Sequence, residues 1–164
     1  MRKNLKPKIL CRGVWHTPIV DVYEYLGECE VSEISQPLKL LLVDDETGYV
    51  EILSKRMSKR GIEVTAAYSG AEAIRAMRGR YFDAAVLDLK MEDMDGIEIL
   101  KILRKMDSFM PVIMLTGHGS ERAAREGVKY GAYDYLTKPC NFDELVSKIK
   151  DSIKNAPRGE NDGK

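Results

Sequence analysis

No apolar run in this chain approaches the roughly 18 residues that a membrane-spanning helix needs. Cysteine is scarce: Cys11, Cys29 and Cys140 form no CxxC pair and no zinc-type spacing. That argues against a disulfide scaffold or a structural zinc site and for reduced thiols. Charge of one sign is also missing. With 26 Lys+Arg against 26 Asp+Glu, no overall field draws in nucleic acid or an anionic membrane. The N-terminus is basic (Arg2, Lys3, Lys6, Lys8) but lacks the apolar segment of a signal peptide. These absences predict a cytoplasmic protein with no direct nucleic-acid or membrane partner.

The chain does have an ordinary apolar fraction, 44% of 164 residues, enough for one domain with a real core. Residues 1–37 stand apart. Basic residues come first, then acids (Asp21, Glu24, Glu28, Glu30, Glu33), and the stretch between Pro18 and Pro37 fits neither helix nor strand periodicity. Two readings apply to this extension. It is a partly ordered leader, or a docking or dimerisation element using Trp15, Tyr23, Tyr25 and Leu26, since aromatics are enriched in interface cores.

From Leu38 to about Asn155 the pattern becomes regular. Leu38–Val43, Ile62–Ala66, Ala84–Asp88, Pro111–Leu115 and Tyr133–Leu136 read as short strands. Between them lie helical stretches. Val50, Leu53 and Met57 share one helix face, and Gly61 is a natural stop. Ser69-Gly70-Ala71-Glu72 has the form of a capping box. Gly96 opens a third helix with Ile97, Leu100 and Leu103 as its core face. A fourth helix, Ser120 to about Tyr130, is only weakly apolar (Ala123, Ala124, Val128) and is weakened by Gly127. Asn141 caps the last helix, whose buried stripe is Leu145, Ile149 and Ile153. Five alternating strand–helix units predict a doubly wound α/β fold with a parallel sheet. The polar tail, 156–164, is expected to be disordered.

The apolar run Ala84-Ala85-Val86-Leu87 carries one carboxylate, Asp88, to its end. In open α/β sheets ligands bind beyond the carboxyl ends of the strands. The other strands also end in polar residues: Asp44-Asp45 after the first, Thr116 after the fourth and Lys138 after the fifth. These ends share one edge of a parallel sheet, so the side chains can converge. Carboxylates 4 Å apart repel by about 4 kcal/mol per pair at an effective dielectric of about 20. A cation must offset that. An all-oxygen site with room for phosphate suits Mg2+. Lys138 adds a fixed positive charge, and Thr116 a hydroxyl donor. Phosphoryl transfer needs mainly positioning and charge neutralisation, and a carboxylate nucleophile yields an acyl phosphate. Asp88 is therefore read as a phosphoryl acceptor.

The segments Leu41-Leu42-Val43-Asp44-Asp45-Glu46, Val86-Leu87-Asp88-Leu89-Lys90-Met91, Met94-Asp95-Gly96, Leu115-Thr116-Gly117-His118-Gly119 and Tyr135-Leu136-Thr137-Lys138-Pro139 resemble the receiver domain of bacterial two-component response regulators, most of all the nitrogen-regulation type. The resemblance spans about Leu38 to Lys154. It implies a flavodoxin-like sheet in the order 2-1-3-4-5 and a cis Lys138–Pro139 bond. It also implies that Asp88 takes its phosphoryl group from a histidine kinase or phosphotransfer protein. Asp45, Asp88 and the backbone carbonyl of Lys90 would bind Mg2+ directly, with Asp44 acting largely through water. Thr116 and Tyr135 would form the switch, and Lys138 would bond the phosphoryl oxygen. Output would run from a stand-alone receiver to a downstream protein or into self-association, because few residues follow Lys154. The chain departs from the family in one visible place: Glu92-Asp93 stand where Pro-Gly is usual.

Blander roles stand beside these. Asp88 or Thr116 can simply cap a loop, Tyr135 and Cys140 can be packing, and His16, His118, Glu92 and Asp93 can be solvated loop residues. Two other functions compete. One is a haloacid-dehalogenase-like phosphatase built on Asp44-Asp45-Glu46-Thr47, although Glu46 stands where that pattern needs a second aspartate. The other is a receiver-like binding module that never sees phosphate. The leading reading is a signalling phosphoacceptor, not a turnover enzyme.

Overall fold

The computed structural model describes residues 37–117 and 121–156. The leader, its aromatic residues, Cys11, Cys29, both histidines and the tail from Pro157 lie outside the described residues. Five strands alternate with five helices: β1 (Leu38–Val43), α1 (Thr47–Ser58), β2 (Ile62–Ala67), α2 (Gly70–Gly79), β3 (Ala84–Asp88), α3 (Gly96–Met106), β4 (Val112–Thr116), α4 (Glu121–Lys129), β5 (Asp134–Thr137) and α5 (Phe142–Asn155). The sheet is parallel throughout, in the order β2-β1-β3-β4-β5. This is the flavodoxin-like fold expected from the alternation and the resemblance.

Strand periodicity explains the two cores. Leu40, Leu42, Val86, Ile113 and Leu115 face Val50, Leu53 and Met57 of α1 and Leu145, Val146 and Ile149 of α5. Leu41, Val43, Leu87, Val112 and Met114 face the other way, against Ala73 of α2 and Ile99, Leu100 and Leu103 of α3. Because both faces are covered, the stretches 40–43, 84–87 and 112–115 of β1, β3 and β4 are continuously apolar instead of alternating. No helix among the described residues is long and apolar enough to cross a membrane.

Several local readings hold and some change. Gly61 takes φ +73 at the end of α1, a left-handed conformation that favours glycine. Ser69 accepts the Glu72 amide at 3.1 Å, while Glu72 reaches past the cap to the Tyr68 amide at 2.8 Å. Asn141 accepts the amides of Asp143 and Glu144. In α3 Ile99 is fully buried together with Leu100 and Leu103, whereas Ile97 is only half-buried. Val128, assigned to the apolar face of α4, is exposed; Ala124 and Gly127 face the sheet instead. A Cβ on Gly127 would lie 2.2 Å from Met114 Sδ. The glycine lets α4 approach β4, which offsets its poor helix propensity. Ile153 is half-buried, and α5 is closed instead by the buried Phe142, Val146 and Ser152.

Gly96 is the most constrained position. A Cβ there would stand 2.5 Å from the Asp88 carbonyl oxygen and 2.8 Å from Leu89 Cα, both backbone atoms. Gly96→Ala is therefore expected to destabilise the fold by about 2 kcal/mol or more. Gly48→Ala, in an open position with nothing within 4 Å, is expected to be neutral or stabilising by up to about 1 kcal/mol. Urea unfolding of both variants checks the pair.

Candidate functional site

β1 and β3 are neighbours, so their carboxyl ends deliver Asp44, Asp45 and Asp88 to one place. One carboxylate oxygen from each lies within 4.8 Å of the others. Asp44 and Asp88 are buried and Asp45 is half-buried. The fifth strand contributes the opposite charge. Lys138 Nζ lies 2.5 Å from Asp44 Oδ2 and 3.4 Å from Asp88 Oδ2. Its backbone N–H donates to the Thr116 carbonyl at 2.6 Å, and the following Lys138–Pro139 peptide is cis.

The carboxylates differ in how they are engaged. Asp44 is fully enclosed, with Oδ1 accepting the Glu46 amide at 3.0 Å and Oδ2 accepting Lys138. Asp45 Oδ2 accepts the Glu92 amide at 2.9 Å. Asp88 retains a 9% exposed side chain. Burial pushes the Asp88 carboxyl upward from its ordinary range; Lys138 opposes this, and the charge of Asp44 adds to it. Burial alone would lower the Lys138 ammonium, but the hydrogen bond and charge of Asp44, followed by Asp88, outweigh it and its net direction is up.

Three hard oxygen donors from separate side chains, more negative than one ammonium can balance, suit a divalent cation that keeps waters and substrate oxygens. Asp44, Asp45 and Asp88 are the residues that could hold it. Lys90, whose backbone carbonyl was the fourth expected ligand, is exposed in the loop after β3.

Thr116 and Tyr135 occupy neighbouring strands, and their hydroxyls bond to Gly117 and Arg125. Thr116 is fully buried at the end of β4, and its hydroxyl donates to the Gly117 carbonyl at 3.2 Å. Tyr135 is half-buried against the core on the α2–α4 side, and its hydroxyl accepts from Arg125 Nε at 3.4 Å.

Two features escaped the sequence reading. Asp93, a solvated loop acid by its sequence context, instead accepts the Gly70 amide at 2.9 Å and so closes the N-terminus of α2. Tyr49 lies beside the site, with Lys138 Nζ 4.6 Å from its ring centroid and its hydroxyl 3.7 Å from Cys140 Sγ. An acid 23 positions from the amide that it caps leaves no local signal. A tyrosine in a first helical turn reads as packing.

Emptying the pocket of like charge is expected to stabilise the metal-free protein. A carboxyl raised in the fold contributes stability below its unfolded pKa and loses it as pH rises through the folded value. Ionised Asp88 is thus a cost at pH 7. Asp88→Asn is expected to raise stability at pH 7 by about 1 kcal/mol, with the gain shrinking toward pH 4. Lys138→Met is expected to lower stability by about 3 kcal/mol, because Asp44 would be left buried and unpaired. Urea denaturation across pH, without divalent ions, measures both.

Known proteins match the same region. The family model for the response regulator receiver domain matches residues 40–150. The transcriptional regulatory protein GlrR of Escherichia coli is 38% identical over 118 residues, which cover 72% of this chain and 27% of that protein. The chain thus spans about a quarter of that curated relative's length. Among solved structures, the receiver domain of Francisella response regulator 1452 is 37% identical with a TM-score of 0.66, covering 71% of this chain and 97% of that one. The receiver domain of NtrX from Brucella abortus is 28% identical with a TM-score of 0.69, covering 71% and 99%.

Proposed function

The chain belongs to the response regulator receiver family, and from that premise we propose that Asp88 accepts a phosphoryl group from a histidine kinase or phosphotransfer protein. The observation that carries this assignment is the unequal engagement of the carboxylates. Both oxygens of Asp44 are occupied, whereas Asp88 keeps an exposed edge with an ammonium 3.4 Å away. This favours Asp88 over Asp44 as nucleophile, and so favours a receiver over a dehalogenase-like phosphatase.

In the proposed reaction, an Asp88 carboxylate oxygen attacks the phosphorus of a phosphohistidine. The P–N bond breaks, and the imidazole leaves with its electron pair and takes a proton. The product is an acyl phosphate, which water later cleaves to carboxylate and inorganic phosphate. Asp45, Asp88 and the Lys90 carbonyl would hold Mg2+, with Asp44 contributing indirectly, and the ion would supply charge neutralisation for the phosphoryl oxygens. Lys138 bonds one phosphoryl oxygen and is drawn from Asp44 toward the new charge. The Thr116 hydroxyl leaves the Gly117 carbonyl for another phosphoryl oxygen, and the Tyr135 ring turns inward from Arg125. A local addition of about −1.5 to −2 charges thereby alters the face from α4 to β5. Protein contacts of that face, with a partner or a second copy, carry the signal in the cytoplasm.

Intact mass spectrometry after incubation with acetyl phosphate and Mg2+ tests the assignment. One phosphoryl group is expected on the wild type and on Asp44→Asn at a reduced level, and none on Asp88→Asn. A phosphoryl adduct that persists in Asp88→Asn would overturn it. No adduct on the wild type under any Mg2+ concentration would favour the phosphate-independent binding module.

A further inference from the structure

Lys138 has a third kind of neighbour besides Asp44 and Asp88. Tyr49, in the first turn of α1, presents its ring to the ammonium at 4.6 Å, within the roughly 6 Å over which a ring quadrupole attracts a cation. The same side chain has a second attachment. Its hydroxyl lies 3.7 Å from Cys140 Sγ, and Cys140 follows the cis Lys138–Pro139 unit directly. Tyr49 and Cys140 are both half-buried against the core on the α1–α5 side. One side chain therefore joins α1 to the segment that carries the lysine, at its head group and next to its backbone.

The chemistry of this contact differs from that of the carboxylates. Burial first, then Cys140 and the two acids, push the Tyr49 hydroxyl up from its ordinary pKa, so it remains a neutral phenol. A neutral ring attracts the ammonium without binding a divalent cation and without repelling a phosphoryl oxygen. Asp44 can do neither. With a divalent cation bound, the charge of Asp44 would be shared, and Lys138 would have to leave it for the phosphoryl group.

We infer that Tyr49 is a positioning residue for Lys138: its ring keeps the ammonium at the pocket while the lysine exchanges Asp44 for a phosphoryl oxygen. The inference rests on the receiver reading above. It assigns to α1 a part in the phosphoryl site additional to that of the acids preceding it.

The test uses the full chain with three variants, Tyr49→Phe, Tyr49→Leu and Tyr49→Met, the last as a second non-aromatic side chain should leucine unsettle the fold. The initial rate of phosphorylation by subsaturating acetyl phosphate with Mg2+ is read alongside the Lys138 ε-methylene NMR resonance, identified by its loss in Lys138→Arg. Loss of the ring is expected to slow phosphorylation about three- to tenfold, and Phe to stay within about twofold of wild type. The ε-methylene resonance is expected upfield in wild type and Tyr49→Phe, and at the ordinary lysine position in the Leu and Met variants. A structural defect alone would slow the reaction without returning that one resonance to its ordinary position. An unmoved resonance, or a Phe variant as slow as Leu, overturns the inference; the latter would transfer the role to the hydroxyl–sulfur contact. Failure of wild type to accept phosphate would sink the receiver reading itself, whereas a normal wild type with an unaffected Leu variant would sink only the role of Tyr49.

Discussion

Mutual repulsion among Asp44, Asp45 and Asp88 is the constraint around which this molecule is arranged. Three acids share a space in which their oxygens lie within 4.8 Å of one another, and two of them are buried. One ammonium, brought from the far side of β4, answers that charge only in part. The strand order is what makes the arrangement possible. β1 and β3 adjoin, so their ends meet directly. β5 lies beyond β4, and the long lysine side chain spans the gap. The residual negative charge is what a divalent cation would offset. The fold thus holds its site in a state less stable than an apolar filling would give.

The architecture was legible because its signals are local. Apolar runs ending in acids, Gly61 after an apolar helix face, and Ser69 and Asn141 before helical stretches each identify an element from a few neighbouring residues. The convergence of Asp44, Asp45, Asp88 and Lys138 was also legible, since a parallel sheet puts all its strand ends on one edge. Legibility failed where tertiary packing chose between adjacent candidates. Ile97 and Ile99 are both isoleucines in the first turn of α3, and only the angle at which the helix meets the sheet selects Ile99. Val128 looked like core by composition, yet α4 turns its small residues inward because Met114 already fills the space. Asp93 and Tyr49 act on partners distant in sequence, and nothing in their immediate neighbours announces it.

The loop after β3 shows how a departure from the family pattern is accommodated. Glu92-Asp93 replace a pair whose proline would restrict the backbone by its ring. Here the loop is restrained by hydrogen bonds instead: the Glu92 amide to Asp45, and the Asp93 carboxylate to the start of α2. One tether ends on a residue of the acidic cluster and the other on a neighbouring helix. The loop is therefore tied to Asp45 on one side and to α2 on the other.

The close approach at Gly96 has a mechanical corollary. The start of α3 lies against the backbone of Asp88 and Leu89, with its amide bonded to the Leu89 carbonyl at 3.1 Å. No slack separates helix from strand there, so the two behave as a single stiff block. On the opposite flank the contacts are longer: the Thr116 hydroxyl donates to the Gly117 carbonyl at 3.2 Å, and the Tyr135 hydroxyl accepts from Arg125 Nε at 3.4 Å. Because a methyl group is absent at Gly96, helix and strand lock together beside Asp88, and the more yielding contacts are left to the β4–β5 side.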